Sequence, residues 1–138
     1  MLRRLAPAGA FAAVLDARDV SIVGTCIGID YGGFGWIAMM LVDPAYRGRG
    51  IGRRLLEAAM DAVPANLPIR LDATPLGRRL YRQYGFQDEA ALSRYVVDRD
   101  DATPPSSDVR RAIRRLTRDD LELVIAQDRE TFGGTRDA

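Results

Sequence analysis

Between Leu41 and Arg53 the chain reads Leu-Val-Asp-Pro-Ala-Tyr-Arg-Gly-Arg-Gly-Ile-Gly-Arg: an apolar run, then arginines alternating with glycines, then the start of a helical repeat. That order predicts a strand, an anion-binding turn and a helix. At a helix N-terminus the first backbone N–H groups have no intrahelical partner and the macrodipole is positive, so a bound diphosphate satisfies both. The glycines at 48, 50 and 52 leave no Cβ between that backbone and an anion. Two common phosphate motifs do not match. A Walker A loop ends in Gly-Lys-Ser/Thr, and the sequence contains no lysine. A dinucleotide fingerprint spaces its glycines as G-x-G-x-x-G, whereas these alternate as G-x-G-x-G, which disfavours a dinucleotide-binding oxidoreductase.

The rest of the chemical repertoire is narrowed by composition. With no histidine, Ser-His and Cys-His triads and most zinc sites are excluded, and no metal is expected. Acid–base chemistry falls to Tyr, Cys, carboxylates or ordered water. The single cysteine, Cys26, has no internal disulfide partner and lies in an apolar run, so a buried structural thiol is expected. A formal net charge of +1 argues against general nucleic-acid binding. No apolar stretch approaches a membrane span and Met1–Pro7 lacks a signal-peptide core, so no membrane contact and a cytoplasmic location are the expectations.

The elements that must position the turn follow from periodicity. Phe11–Leu15 and Val20–Ile29 are strand-like runs separated by Asp16-Ala17-Arg18-Asp19, which predicts a hairpin. Trp36–Val42 is nearly continuously apolar, as in a strand buried on both faces. Ile51, Leu55, Leu56, Ala59, Met60 and Val63 repeat at helical spacing, and Pro64 follows them. Ile69–Ala73 reads as the next strand. A second helix starts at Thr74 as N-cap with Pro75 in the first turn, carries Leu76, Leu80 and Tyr84 as its buried stripe with Tyr81 beside it, and stops at Gly85. Ala91–Val97 reads as a further strand. At 138 residues there is room for one domain with a real core, and the strand–helix alternation predicts an α/β fold with a mixed sheet and helices packed on it. Residues 98–108 read as a linker. Beyond it, residues 109–138 read as a strand-helix tail, with Ala112–Leu116 as the strand, Thr117–Asp120 as a capping box, and Leu121, Val124, Ile125 and Phe132 as a helical stripe.

Arg47, Gly50 and Gly52, preceded by Val42-Asp43-Pro44, resemble the acyl-CoA signature of the GNAT acetyltransferase superfamily, and Leu80-Tyr81-Arg82-Gln83-Tyr84-Gly85-Phe86 resembles that family's L-Y-x-x-x-G-F segment. The likeness covers about Phe11 to Val97 within a domain spanning 1–97. It implies a GNAT-like mixed central sheet flanked by helices, short of the family's usual N-terminal strand and helices. It implies acetyl-CoA as acetyl donor, the pantetheine arm on the main chain of Met40, Leu41 and Val42, and the diphosphate on the segment Arg47, Gly48, Arg49, Gly50, Ile51, Gly52 and Arg53. Tyr81 occupies the position of the acid that protonates the departing thiolate, the alternative being a tyrosine that only packs. For the base, Asp43, Asp72 and a water relay stay open, since Trp36–Val42 holds no carboxylate. The activity implied is N-acetylation of a primary amine on a small molecule or peptide. The alternative is a non-catalytic acyl-CoA-binding or interaction module from a tandem protein whose second GNAT-like domain starts in the tail. A sheet without its first strand exposes an edge, which predicts either a homodimer or the tail acting as a substitute edge.

Overall fold

Alternation along the apolar runs builds the sheet. The computed structural model describes residues 8–15, 21–98 and 113–134. The Asp16–Asp19 turn, nearly all of the expected linker and residues 109–112 lie outside the described residues. Strand β1 (Ala10–Val14) pairs antiparallel with β2 (Ile22–Asp30), with Phe11 opposite Cys26 and Ala13 opposite Gly24. β2 pairs antiparallel with β3 (Gly35–Val42), and β3 pairs in parallel with β4 (Ile69–Leu71), giving the order β1-β2-β3-β4. Between β3 and β4 runs helix α1 (Ile51–Asp61), and α2 (Pro75–Gln83) follows β4. The result is a mixed α/β sheet flanked by helices. No helix among the described residues is long and apolar enough to cross a membrane.

Period-two alternation in β2 sends neighbouring side chains to opposite faces. Cys26 joins Ile37, Leu55, Leu56, Ala59 and Tyr81 in a core beneath the helices, while Ile27 and Ile29 pack with Tyr31 and Trp36 on the other face. The helix punctuation is local chemistry: Thr74 Oγ1 accepts from the Gly77 N–H at 3.2 Å, and Gly85 adopts φ +85° just past α2.

Three expectations are revised. β3 is buried on both faces only over its first half; Met39 and Leu41 are 49% and 58% exposed. In α2 the buried residue is Tyr81, while Leu76 in the first turn is exposed. Ala91–Val97 joins no ladder among the described residues, and Leu92, Tyr95, Val96 and Val97 are exposed. Its β-branched and aromatic residues express a propensity that needs a neighbouring strand to act on.

In the tail, Thr117 and Asp120 form the expected capping box, and α3 (Leu121–Phe132) follows. Residues 113–116 enter no ladder. The described part of the tail meets the sheet through Phe132 at the β2–β3 turn.

Burial pushes the Cys26 thiol from 9.0 up to about 11, with the backbone hydrogen bond at Ile27 opposing the shift. The unfolded chain therefore ionises first as pH rises. The contribution of this thiol to stability is full below pH 9.0 and is lost as pH climbs through about 11. Urea midpoints measured from pH 7 upward should fall across that window, and Cys26→Ala should flatten the slope.

Candidate active site

After Val42 the backbone is tied into its turn by side chains from within the turn. Asp43 Oδ1 accepts from the Ala45 N–H at 2.8 Å, Pro44 starts a short 3-10 turn ending at Tyr46, and Arg47 Nε donates to Val42 O at 3.0 Å. The Arg47 guanidinium is thus a staple between the turn and the end of β3. The Arg49 guanidinium lies 5.2 Å from the centre of the Tyr46 ring. Gly48 and Gly50 have φ of +75° and +77°, and a Cβ at either would meet nothing within 4 Å. Glycine is required there by the sign of φ, and the space above the turn is open.

Gly50 is the N-cap of α1 and supplies no side-chain cap. The first N–H to find a carbonyl is that of Arg54, which donates to Gly50 O at 3.2 Å. The N–H groups of Ile51, Gly52 and Arg53 are therefore the orphan donors of the first turn, at the positive end of the macrodipole. The Arg53 side chain is occupied elsewhere, donating to Gln83 Oε1 at 3.0 Å and joining α1 to α2. Gly52 is different in kind: a Cβ there would stand 3.4 Å from Met40 Cε and 3.6 Å from Val42 Cγ2, ordinary packing distances.

Beside the turn the sheet opens. β3 and β4 pair only from Gly35–Ile69 to Ile37–Leu71, whereas β3 continues to Val42. Among the described residues the edge of β3 that faces β4 is unpaired from there on, and it carries Met40, Leu41 and Val42. Within the same stretch β3 bulges. Thr25 is registered to Leu41 and Ile27 to Ala38, so Met39 and Met40 together oppose Cys26. Met39 has φ +51°, a conformation costing a non-glycine residue on the order of 1–3 kcal/mol, and the Thr25 hydroxyl donates to Met39 O at 2.8 Å to hold it. Sequence reasoning missed this feature. Methionine carries no turn signal, and Thr25 lies fourteen residues away.

Tyr81 is 7% exposed, beside Cys26 and Ile37, with its ring 6.0 Å from that of Phe86. Burial, and secondarily Cys26, raise its phenol above the ordinary value, so the proton is retained at neutral pH. Tyr84 instead donates its O–H to Glu57 Oε1, and that bond raises its pKa. Of the two carboxylates considered as bases, Asp43 is engaged as a cap, and Asp72 stands exposed just past β4.

Residues 8–88 match the family model of the acetyltransferase (GNAT) domain. The chain belongs to the GNAT acetyltransferase family. The uncharacterized N-acetyltransferase YitH of Bacillus subtilis (strain 168) is 29% identical over 113 residues, which cover 81% of this chain and 39% of YitH. The chain therefore spans about two fifths of that relative's length. The structure of PH1933 from Pyrococcus horikoshii OT3 matches with a TM-score of 0.55 at 27% identity, covering 67% of this chain and 64% of that one. The aminoglycoside N-acetyltransferase AAC(6')-Iy in complex with CoA matches with a TM-score of 0.51 at 16% identity, covering 64% of this chain and 75% of that one, a likeness of fold.

The two kinds of glycine should respond with opposite sign. Gly50→Ala forces an L-residue into the left-handed region and should cost about 1–2 kcal/mol. Gly52→Ala replaces a helical glycine where a Cβ fits, and should stabilise by up to about 1 kcal/mol. Denaturant titration of the two variants checks both.

Proposed function

We propose that this domain binds acetyl-CoA and transfers the acetyl group directly to a primary amine of a small molecule or peptide. The observation that carries the reading is the uncapped N-terminus of α1, reached through two left-handed glycines at the end of an unpaired strand edge. The orphan N–H groups of residues 51–53 receive the diphosphate, and the open edge of Met40–Val42 offers the amide groups of the pantetheine arm a strand to pair with. The thioester end then lies near the bulge, whose extra residue leaves main-chain groups outside the ladder.

In the reaction the amine nitrogen attacks the thioester carbonyl carbon. Negative charge develops on the carbonyl oxygen, and backbone N–H donors at Met39–Met40 stabilise it. The C–S bond breaks, the sulfur takes its proton from the Tyr81 hydroxyl, and the proton lost by the amine passes to water, through which the Tyr81 phenolate regains one. A water relay is preferred to a carboxylate base, since Asp43 already caps the 3-10 turn.

The test separates binding from chemistry. Titration calorimetry should show acetyl-CoA binding to the wild type, weakened by Gly50→Asp, which sets a carboxylate over the turn. Tyr81→Phe should keep that affinity within about twofold and lower turnover by roughly ten- to ten-thousand-fold. Turnover within twofold of wild type would return Tyr81 to a packing role. Binding without turnover on any amine in the wild type would favour the reading as a non-catalytic acyl-CoA-binding module.

A further inference from the structure

Among the described residues Met39 is the only residue other than glycine with a positive φ, and it sits where Met39 and Met40 together oppose Cys26. Backbone in that region persists only where its surroundings over-determine it. Here the constraint comes from the neighbouring strand. Thr25, whose pairing with Leu41 flanks the bulge, donates its hydroxyl to Met39 O at 2.8 Å, and the ladder resumes on the far side with Ile27 opposite Ala38.

That bond also fixes the other end of the same peptide unit. Met39 C=O and Met40 N–H belong to one planar trans peptide, so the two groups point in opposite directions. Met39 O points at Thr25 on β2, and Met40 N–H therefore points away from β2, toward the side of β3 on which β4 lies. Pairing with β4 ends at Ile37, so this N–H faces the open edge. In a regular ladder the neighbouring strands would fix such a unit without help from a side chain. At a bulge the extra residue stands outside the ladder, and the unit can turn over, exchanging its N–H for its carbonyl. Turned over, it would present an oxygen lone pair where the thioester carbonyl gathers negative charge. We infer that Thr25 is a positioning residue for acetyl transfer: by holding Met39 O it aims the Met40 N–H at the oxyanion. The inference rests on the acetyl-CoA reading above. Thr25 acts through the 39–40 peptide and needs no contact with either substrate.

Two substitutions separate the hydroxyl from the rest of the side chain. Thr25→Val removes it while keeping size and β-branching, which suit a strand, and Thr25→Ser retains it. The full chain and both variants are compared for acetyl-CoA affinity by calorimetry and for CoA thiol release with two amine probes, spermidine and a peptide with a free N-terminus. Urea midpoints check that each variant is folded. Deleting a whole oxyanion donor lowers kcat by roughly a hundred- to a thousandfold, so Thr25→Val, which releases the donor without deleting it, should lower kcat by about tenfold or more. Acetyl-CoA affinity and the KM of the amine should stay within about threefold, because the loss falls on the transition state. Thr25→Ser should recover kcat to within about threefold of wild type. A residue that only stabilised the sheet would move the urea midpoint and leave kcat of the folded variant unchanged. The inference is overturned by a Thr25→Val kcat within about twofold of wild type, by a loss carried in affinity or KM alone, or by a loss in Thr25→Ser as large as in Thr25→Val. A wild type that binds no acetyl-CoA, or acetylates neither amine, overturns the earlier reading instead.

Discussion

The site depends on β3 keeping one partner along its length and abandoning the other. Its antiparallel pairing with β2 reaches from Gly35 to Val42, while its parallel pairing with β4 stops at Ile37. An unpaired strand edge inside a sheet leaves N–H and C=O groups that a bound chain can satisfy. The same strand then delivers the backbone to a turn whose glycines point orphan helix donors into open space. Both features are made by the main chain, and side chains such as Arg47 and Arg53 serve as staples.

Placing Tyr81 requires α2 to lie at a fixed depth against α1. Arg53 to Gln83 and Tyr84 to Glu57 link the C-terminal end of α2 to the first two turns of α1. Beyond α2, Asp88 accepts from both Arg78 and Arg82, and these guanidiniums, Arg78 first, hold its carboxyl well below the usual range. Exposed ion pairs of this kind contribute little stability, so their effect is on the orientation of the chain leaving the helix. The depth of Tyr81 itself comes from apolar packing with Cys26 and Phe86.

The sequence by itself determined whatever is settled within a turn of helix or a few residues of chain. The strand-turn-helix order over 41–53, the left-handed Gly85, the Thr74 cap and the Thr117–Asp120 box are all of this kind, because a sign of φ or an orphan N–H is satisfied by near neighbours. The family resemblance was legible for the same reason, since it rests on that turn and on the segment around Tyr81. Tertiary structure alone decided the rest. The bulge at Met39 exists because β2 and β3 hold different residue counts between fixed pairs, and Thr25 secures it from another strand. Ala91–Val97 has the composition of a strand and, among the described residues, no partner to make it one. Phe132 reads as one more member of a helical stripe, yet it is the residue that finds Tyr31 and Phe34 nearly a hundred residues back along the chain. Ladder pairing and ring packing are made between segments remote in sequence, and neither partner's local pattern specifies where the other will be.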